Sequence, residues 1–85
     1  MSLDSASLPA LDGTPFRVGV AAARFNPRLV DGLLDRLVAG LRAAGVKAGN
    51  IETVRVPGSH EVPWAAQALA RRQRYDCVVG LGVLI

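Results

Sequence analysis

The chain has 85 residues, 51% of them hydrophobic and 20% charged, with ten Lys plus Arg against seven Asp plus Glu and a formal net charge of +3. That balance excludes a disordered polymer or a repeat array and sets one globular domain as the upper limit. A domain this small buries only about 60% of the surface its unfolded chain exposes, so more chain or a partner subunit is favoured from the outset.

The positive charge does not point to nucleic acid. Lys47 is the single lysine, and the arginines are scattered apart from Arg71, Arg72 and Arg74, a group with no interleaved stacking platform. That group reads as a solvated helix end, where cations also suit the helix dipole. No apolar stretch approaches the ~20 residues of a membrane span, and residues 1–12 lack the basic start and apolar core of a secretory signal. One cysteine, Cys77, excludes an internal disulfide, and its apolar neighbours Val78 and Val79 predict a buried, reduced thiol. A cytoplasmic protein with no nucleic-acid or membrane partner is expected.

In chain order, residues 1–15 form a polar, Pro-containing lead, and residues 16–85 carry the elements of an α/β domain. Phe16 to Ala22 is a short apolar run suited to a buried strand. Asn26 is placed to cap a helix and Pro27 to open it, with Val30, Leu33, Leu34, Leu37, Val38 and Leu41 at helical spacing and Asp31, Asp35, Arg36 and Arg42 on the other face. Gly45 is placed to end that helix in a left-handed cap. Ile51 to Val56 reads as a second strand, stopped by Pro57-Gly58. Ser59 is placed to cap a second helix, with Pro63 near its first turn and a packing face of Val62, Ala65, Ala66, Leu69 and Ala70. Tyr75 to Leu81 reads as a third strand. The order β-α-β-α-β at this spacing predicts a parallel sheet with helices on its faces. Three strands leave an open edge, and the final Gly82-Val83-Leu84-Ile85 is largely bare hydrophobe, so a further carboxy-terminal part is expected.

Ligands of open parallel sheets bind beyond the carboxyl ends of the strands. The informative segments are therefore Arg24-Phe25-Asn26, Pro57-Gly58-Ser59-His60-Glu61 and Gly82-Val83-Leu84-Ile85. Together they would supply an aromatic ring, a carboxylate, an imidazole and exposed backbone. Phe25 offers a face for a planar heterocycle, Glu61 can accept two hydroxyl hydrogen bonds from a polyol, and free backbone groups at Val83 to Ile85 can pair with a uracil-like edge. Each residue also has a plainer role: Phe25 as a hydrophobic staple beside the first helix, Glu61 as a carboxylate at a helix start, His60 as a solvated loop residue, Val83 to Ile85 as a strand end. Trp64 and Tyr75 read as packing residues.

Those three segments, extended to Val54 through Pro63 and to Gly80 through Ile85, resemble the signatures of the lumazine synthase family, and the resemblance runs from about Phe16 onward. Archaeal-type riboflavin synthase shares parts of the pattern. The resemblance implies a three-layer α/β/α sandwich with a parallel sheet in flavodoxin-like order. It implies condensation of 5-amino-6-ribitylaminouracil with 3,4-dihydroxy-2-butanone 4-phosphate to 6,7-dimethyl-8-ribityllumazine, phosphate and water, with no cofactor and no metal. It places Phe25 on the pyrimidine, Ser59, His60 and Glu61 on the ribityl chain and ring, and Val83, Leu84 and Ile85 along the heterocycle, with Asn26 adjoining. At His60 the family usually carries a larger apolar aromatic. The resemblance also implies a homo-oligomer built on pentamers, and puts the proton-transfer histidine and the phosphate-binding residues beyond Ile85. The fragment alone is thus expected to be inactive. Two other readings are a non-catalytic ligand-binding module of the same topology and a self-assembling scaffold. Against a nucleotide-binding module, Ala21 to Asn26 contains no phosphate-loop glycine.

Overall fold

The structure is a computed structural model that describes residues 11–84. Five principal elements follow one another: β1 (Val18–Ala23), α1 (Pro27–Ala43), β2 (Ile51–Val56), α2 (Val62–Arg71) and β3 (Cys77–Leu81). The strands form one parallel sheet in the order β2-β1-β3. All six residues of β1 are buried, which is why this strand reads as an unbroken apolar run. It begins two residues later than the sequence suggests, because the Phe16 N–H closes a turn onto Gly13 O at 3.0 Å.

Alternation along β1 divides the core in two. Val18, Val20 and Ala22 pack with Val30 and Val46 on the α1 side, with Leu34, Leu37 and Leu41 closing around them. Ala21 and Ala23 pack with Val56, Val62, Ala65 and Leu69 on the α2 side. Helix, sheet and helix make the three layers expected, and small side chains on the α2 face let that helix approach closely. At Gly80 an added Cβ would lie 2.8 Å from Val62 Cγ1, so only glycine fits there without displacement.

The ends of α1 differ in how far local sequence decides them. At its carboxyl end Gly45 has φ 102°, the Gly45 N–H bonds Arg42 O and the Val46 N–H bonds Leu41 O, both at 3.0 Å. These are the two bonds of a Schellman cap, with glycine at the left-handed position as expected. At its amino end Pro27 is the first helical residue, but Asn26 (φ 58°, ψ 58°) is left-handed and makes no side-chain cap. A capping side chain requires an extended backbone, so the expected Asn26 cap is absent; asparagine is instead one of the few residues that tolerates this conformation.

Four other sequence expectations need correction. The second helix opens through a 3₁₀ turn, Ser59–Glu61, in which the Glu61 carboxylate accepts the Gly58 N–H at 2.8 Å and Ser59 does not cap. Leu33 on α1 and Ala70 on α2 are exposed, so each predicted apolar face is wider than the surface that covers it. Cys77 is exposed, because it starts an edge strand of the described sheet. Trp64 is 71% exposed, whereas Tyr75 does pack, with its ring against Gly19 and its hydroxyl bonded to Glu52.

Asp12 to Thr14 are pinned at the opposite end of the sheet from the strand carboxyl ends. Asp12 Oδ1 accepts the Thr14 N–H at 3.0 Å, and the Gly13 N–H bonds Ala44 O at 2.7 Å. The Thr14 hydroxyl first, and its N–H second, hold the Asp12 carboxyl below its ordinary value. Among the described residues, no helix is long and apolar enough to cross a membrane.

Candidate functional site

Parallel register brings the strand ends to one edge. Ala23 lies beside Val56 and Ala22 beside Leu81, so the three following segments leave the sheet on the same side. The first two are joined by backbone: the Arg24 N–H donates to Val56 O at 2.6 Å and the Phe25 N–H to Pro57 O at 3.0 Å. These bonds fix Phe25 at the rim, where it is 59% exposed. A ring held by its backbone and more than half exposed can stack on a planar group, and the staple role expected of a covered aromatic does not account for that exposure.

The second and third segments are joined by a side chain. Ser59 Oγ donates to Val83 O at 3.1 Å. Gly82 permits this contact, since a Cβ there would sit 2.7 Å from Ser59 Oγ. The serine hydroxyl thereby gives its proton to the protein and keeps its lone pairs as acceptors. Glu61 Oε1 is engaged with the Gly58 N–H, and no hydrogen bond to Oε2 is made among the described residues. This leaves Glu61, which is exposed, an acceptor for a ligand hydroxyl.

The remaining predicted residues are less sharply placed. His60 is exposed in the 3₁₀ turn and makes no side-chain hydrogen bond among the described residues. Asn26 is half-buried in the left-handed bend. Leu84 is exposed, and Ile85 lies outside the described residues. Val83 packs toward α1 and, with Arg28, Leu29, Gly32, Leu33 and Arg36, lines an open groove of about 350 Å³. A larger apolar cavity of about 520 Å³ lies at the other end of the sheet, between Phe16, Leu41 and Cys77. Polar groups converge at the rim, whereas the larger cavity is lined mostly by apolar side chains.

One residue at this rim escaped the sequence reading. Arg55 Nη2 donates to Ala23 O at 2.9 Å and to Asp31 Oδ1 at 2.8 Å, while its buried Nε has no partner among the described residues. The available signal was a cation between Val54 and Val56 at the end of a strand, where an apolar or small residue is the norm. Chemically, the rim offers stacking, hydroxyl acceptance and backbone pairing. Among the described residues, no cluster of three or more His, Cys, Asp or Glu is placed to hold a metal.

Comparison with known proteins bears on what such a rim would hold. Residues 15–85 match the family model described as 6,7-dimethyl-8-ribityllumazine synthase. Three relatives bear that same name. One from a Polaromonas species is 40% identical over 82 residues, covering 96% of this chain and 53% of the relative. One from Methylibium petroleiphilum is 44% identical over 75 residues, covering 88% and 47%. One from Chromobacterium violaceum is 42% identical over 77 residues, covering 91% and 50%. The chain thus spans about half the length of the curated relatives it matches.

Proposed function

The chain belongs to the 6,7-dimethyl-8-ribityllumazine synthase family, and from that premise we propose that its full-length protein acts in riboflavin biosynthesis as the enzyme making this lumazine. Its substrates would be 5-amino-6-ribitylaminouracil and 3,4-dihydroxy-2-butanone 4-phosphate. The observation that carries the proposal is the single rim at the strand ends, with Phe25 anchored to Pro57 and Ser59 bonded to Val83.

In this reading the pyrimidine stacks on Phe25, worth about 1–3 kcal/mol by analogy with bases on aromatic side chains. Glu61 and the Ser59 lone pairs accept ribityl hydroxyls, the backbone of Val83, Leu84 and Ile85 pairs with the heterocycle edge, and Asn26 and His60 border the ligand. The substrate amine attacks the ketone to give an imine with loss of water; phosphate then leaves, and closure with a second dehydration completes the ring. None of these steps needs a protein nucleophile. Holding two substrates in reactive geometry can supply up to about 7–11 kcal/mol, which suits a site of stacking and hydrogen bonding. Proton transfer and phosphate binding would come from chain outside these residues. The protein would work in the cytoplasm, without a cofactor, as a homo-oligomer built on pentamers. The exposed apolar pair Leu29 and Leu33, one turn apart on α1, supports burial against a neighbouring subunit.

The test is to mix full-length protein with both substrates and follow lumazine absorbance. Turnover that falls in Glu61→Ala with assembly unchanged supports the reading. A folded, assembled protein that binds the pyrimidine without turnover is a ligand-binding module, and one that binds neither substrate is a scaffold.

A further inference from the structure

A guanidinium at the end of β2 needs a reason, because partial burial of a charge is unfavourable unless it is well bonded. Val54 and Val56 face α2, so Arg55 faces α1, where only 27% of its side chain is exposed. Its two acceptors lie on either side of the bend Arg24–Asn26. Ala23 O belongs to the last residue of β1, before the bend, and Asp31 lies in the second turn of α1, after it. One nitrogen, Nη2, therefore ties both limbs of the bend together.

The bend itself requires such support. Asn26 is in the left-handed region, which asparagine tolerates better than other non-glycine residues but which neighbouring bonds still help to hold. Two backbone bonds, to Val56 O and Pro57 O, hold the first limb to the exit of β2. Among the described residues, the Arg55–Asp31 contact is the side-chain bond that holds the second limb to the same strand. Phe25 sits between the limbs, and the direction of its ring depends on both.

We propose that Arg55 is a positioning residue for the pyrimidine subsite: by bonding Ala23 and Asp31 it fixes the bend that presents Phe25, without touching substrate. The inference rests on the proposed function, since it takes Phe25 as the stacking surface. Its consequence is selective. Loosening the bend weakens the hold on the pyrimidine, while butanone phosphate binding does not depend on the Phe25 ring.

The experiment compares wild-type, Arg55→Met, Arg55→Lys and Asp31→Asn full-length proteins by steady-state lumazine formation, varying each substrate in turn. A charged hydrogen bond, discounted for partial exposure, predicts that Arg55→Met raises KM for the pyrimidine about three- to tenfold. KM for the butanone phosphate and kcat stay within about twofold, which a general loss of structure would not allow. Arg55→Lys restores part of the effect, because a single ammonium keeps charge but lacks the planar fork. Asp31→Asn, which keeps shape and an acceptor oxygen, gives a smaller rise in the same direction and carries the test if Arg55→Met does not fold. An active wild type whose variants keep the pyrimidine KM, or lose both substrates equally, overturns the role of Arg55 alone. A wild type inert toward both substrates overturns the functional reading and this inference with it.

Discussion

Gly82→Ala probes the joint between the second and third rim segments. An added Cβ would stand 2.7 Å from Ser59 Oγ and 3.2 Å from Ser59 Cβ, closer than van der Waals contact allows. Relief requires Ser59 to move away and its 3.1 Å bond to Val83 O to break. Overpacking of this kind costs about 1–3 kcal/mol, and the lost neutral hydrogen bond adds about 0.5–1.5 kcal/mol. Against these, alanine restricts the unfolded chain and returns about 0.4–1 kcal/mol. A net loss of about 0.5–4 kcal/mol follows from these terms. The assay is the urea midpoint of the full-length protein at fixed concentration, for Gly82→Ala, Ser59→Ala and the double variant. Removing Oγ deletes the nearest clash, so the double variant should lose less than the sum of the singles. A Gly82→Ala protein within about 0.5 kcal/mol of wild type, with additive effects in the cycle, would refute the packing described at this joint.

Other perturbations probe the frame that carries the rim. Leu69→Ala empties the centre of the α2-side core, where Leu69 is 1% exposed, and should cost about 2–5 kcal/mol in chemical denaturation; a loss below about 1 kcal/mol would contradict that packing. Gly45→Ala forces a Cβ into φ 102° and should cost about 1–2 kcal/mol by the same measurement, whereas a stabilised variant would contradict the left-handed cap. Asp12, lowered by Thr14, should titrate below 3.8 in a carboxyl chemical-shift titration. Because its folded value is depressed, its contribution is present above the unfolded value, about 4, and is lost as pH falls through the folded value. Asp12→Asn should therefore change stability at neutral pH more than at pH 2.

What the sequence disclosed was governed by local chemistry or by full burial. The β1 run is apolar because both its faces are covered. Pro57-Gly58 stops β2 where Ile51–Val56 ends, and Gly45 can be read because only glycine takes its backbone angle at no steric cost. The misread features depend on partners distant in sequence. Asn26 looks like a cap until the bonds from Arg24 and Phe25 to the exit of β2 set the bend. Ser59 looks like a cap until the Val83 carbonyl, twenty-four residues on, accepts its hydrogen bond. Cys77 looks buried because neighbouring valines suggest a covered strand, and the sequence does not say which strand lies at the edge. Arg55 was hidden for a related reason: its acceptors, Ala23 O and Asp31, lie thirty-two and twenty-four residues away. The three rim segments could be identified because they follow strands, but their joining bonds could not.

In the proposed function the rim beyond the strand ends holds the pyrimidine with its ring on Phe25. Calorimetric titration of 5-amino-6-ribitylaminouracil into full-length wild-type and Phe25→Ala proteins tests it most directly. Loss of stacking worth about 1–3 kcal/mol predicts a roughly 5- to 150-fold weaker Kd in the variant, with assembly unchanged. Equal affinity in the two assembled proteins would contradict the claim and move the pyrimidine away from this rim.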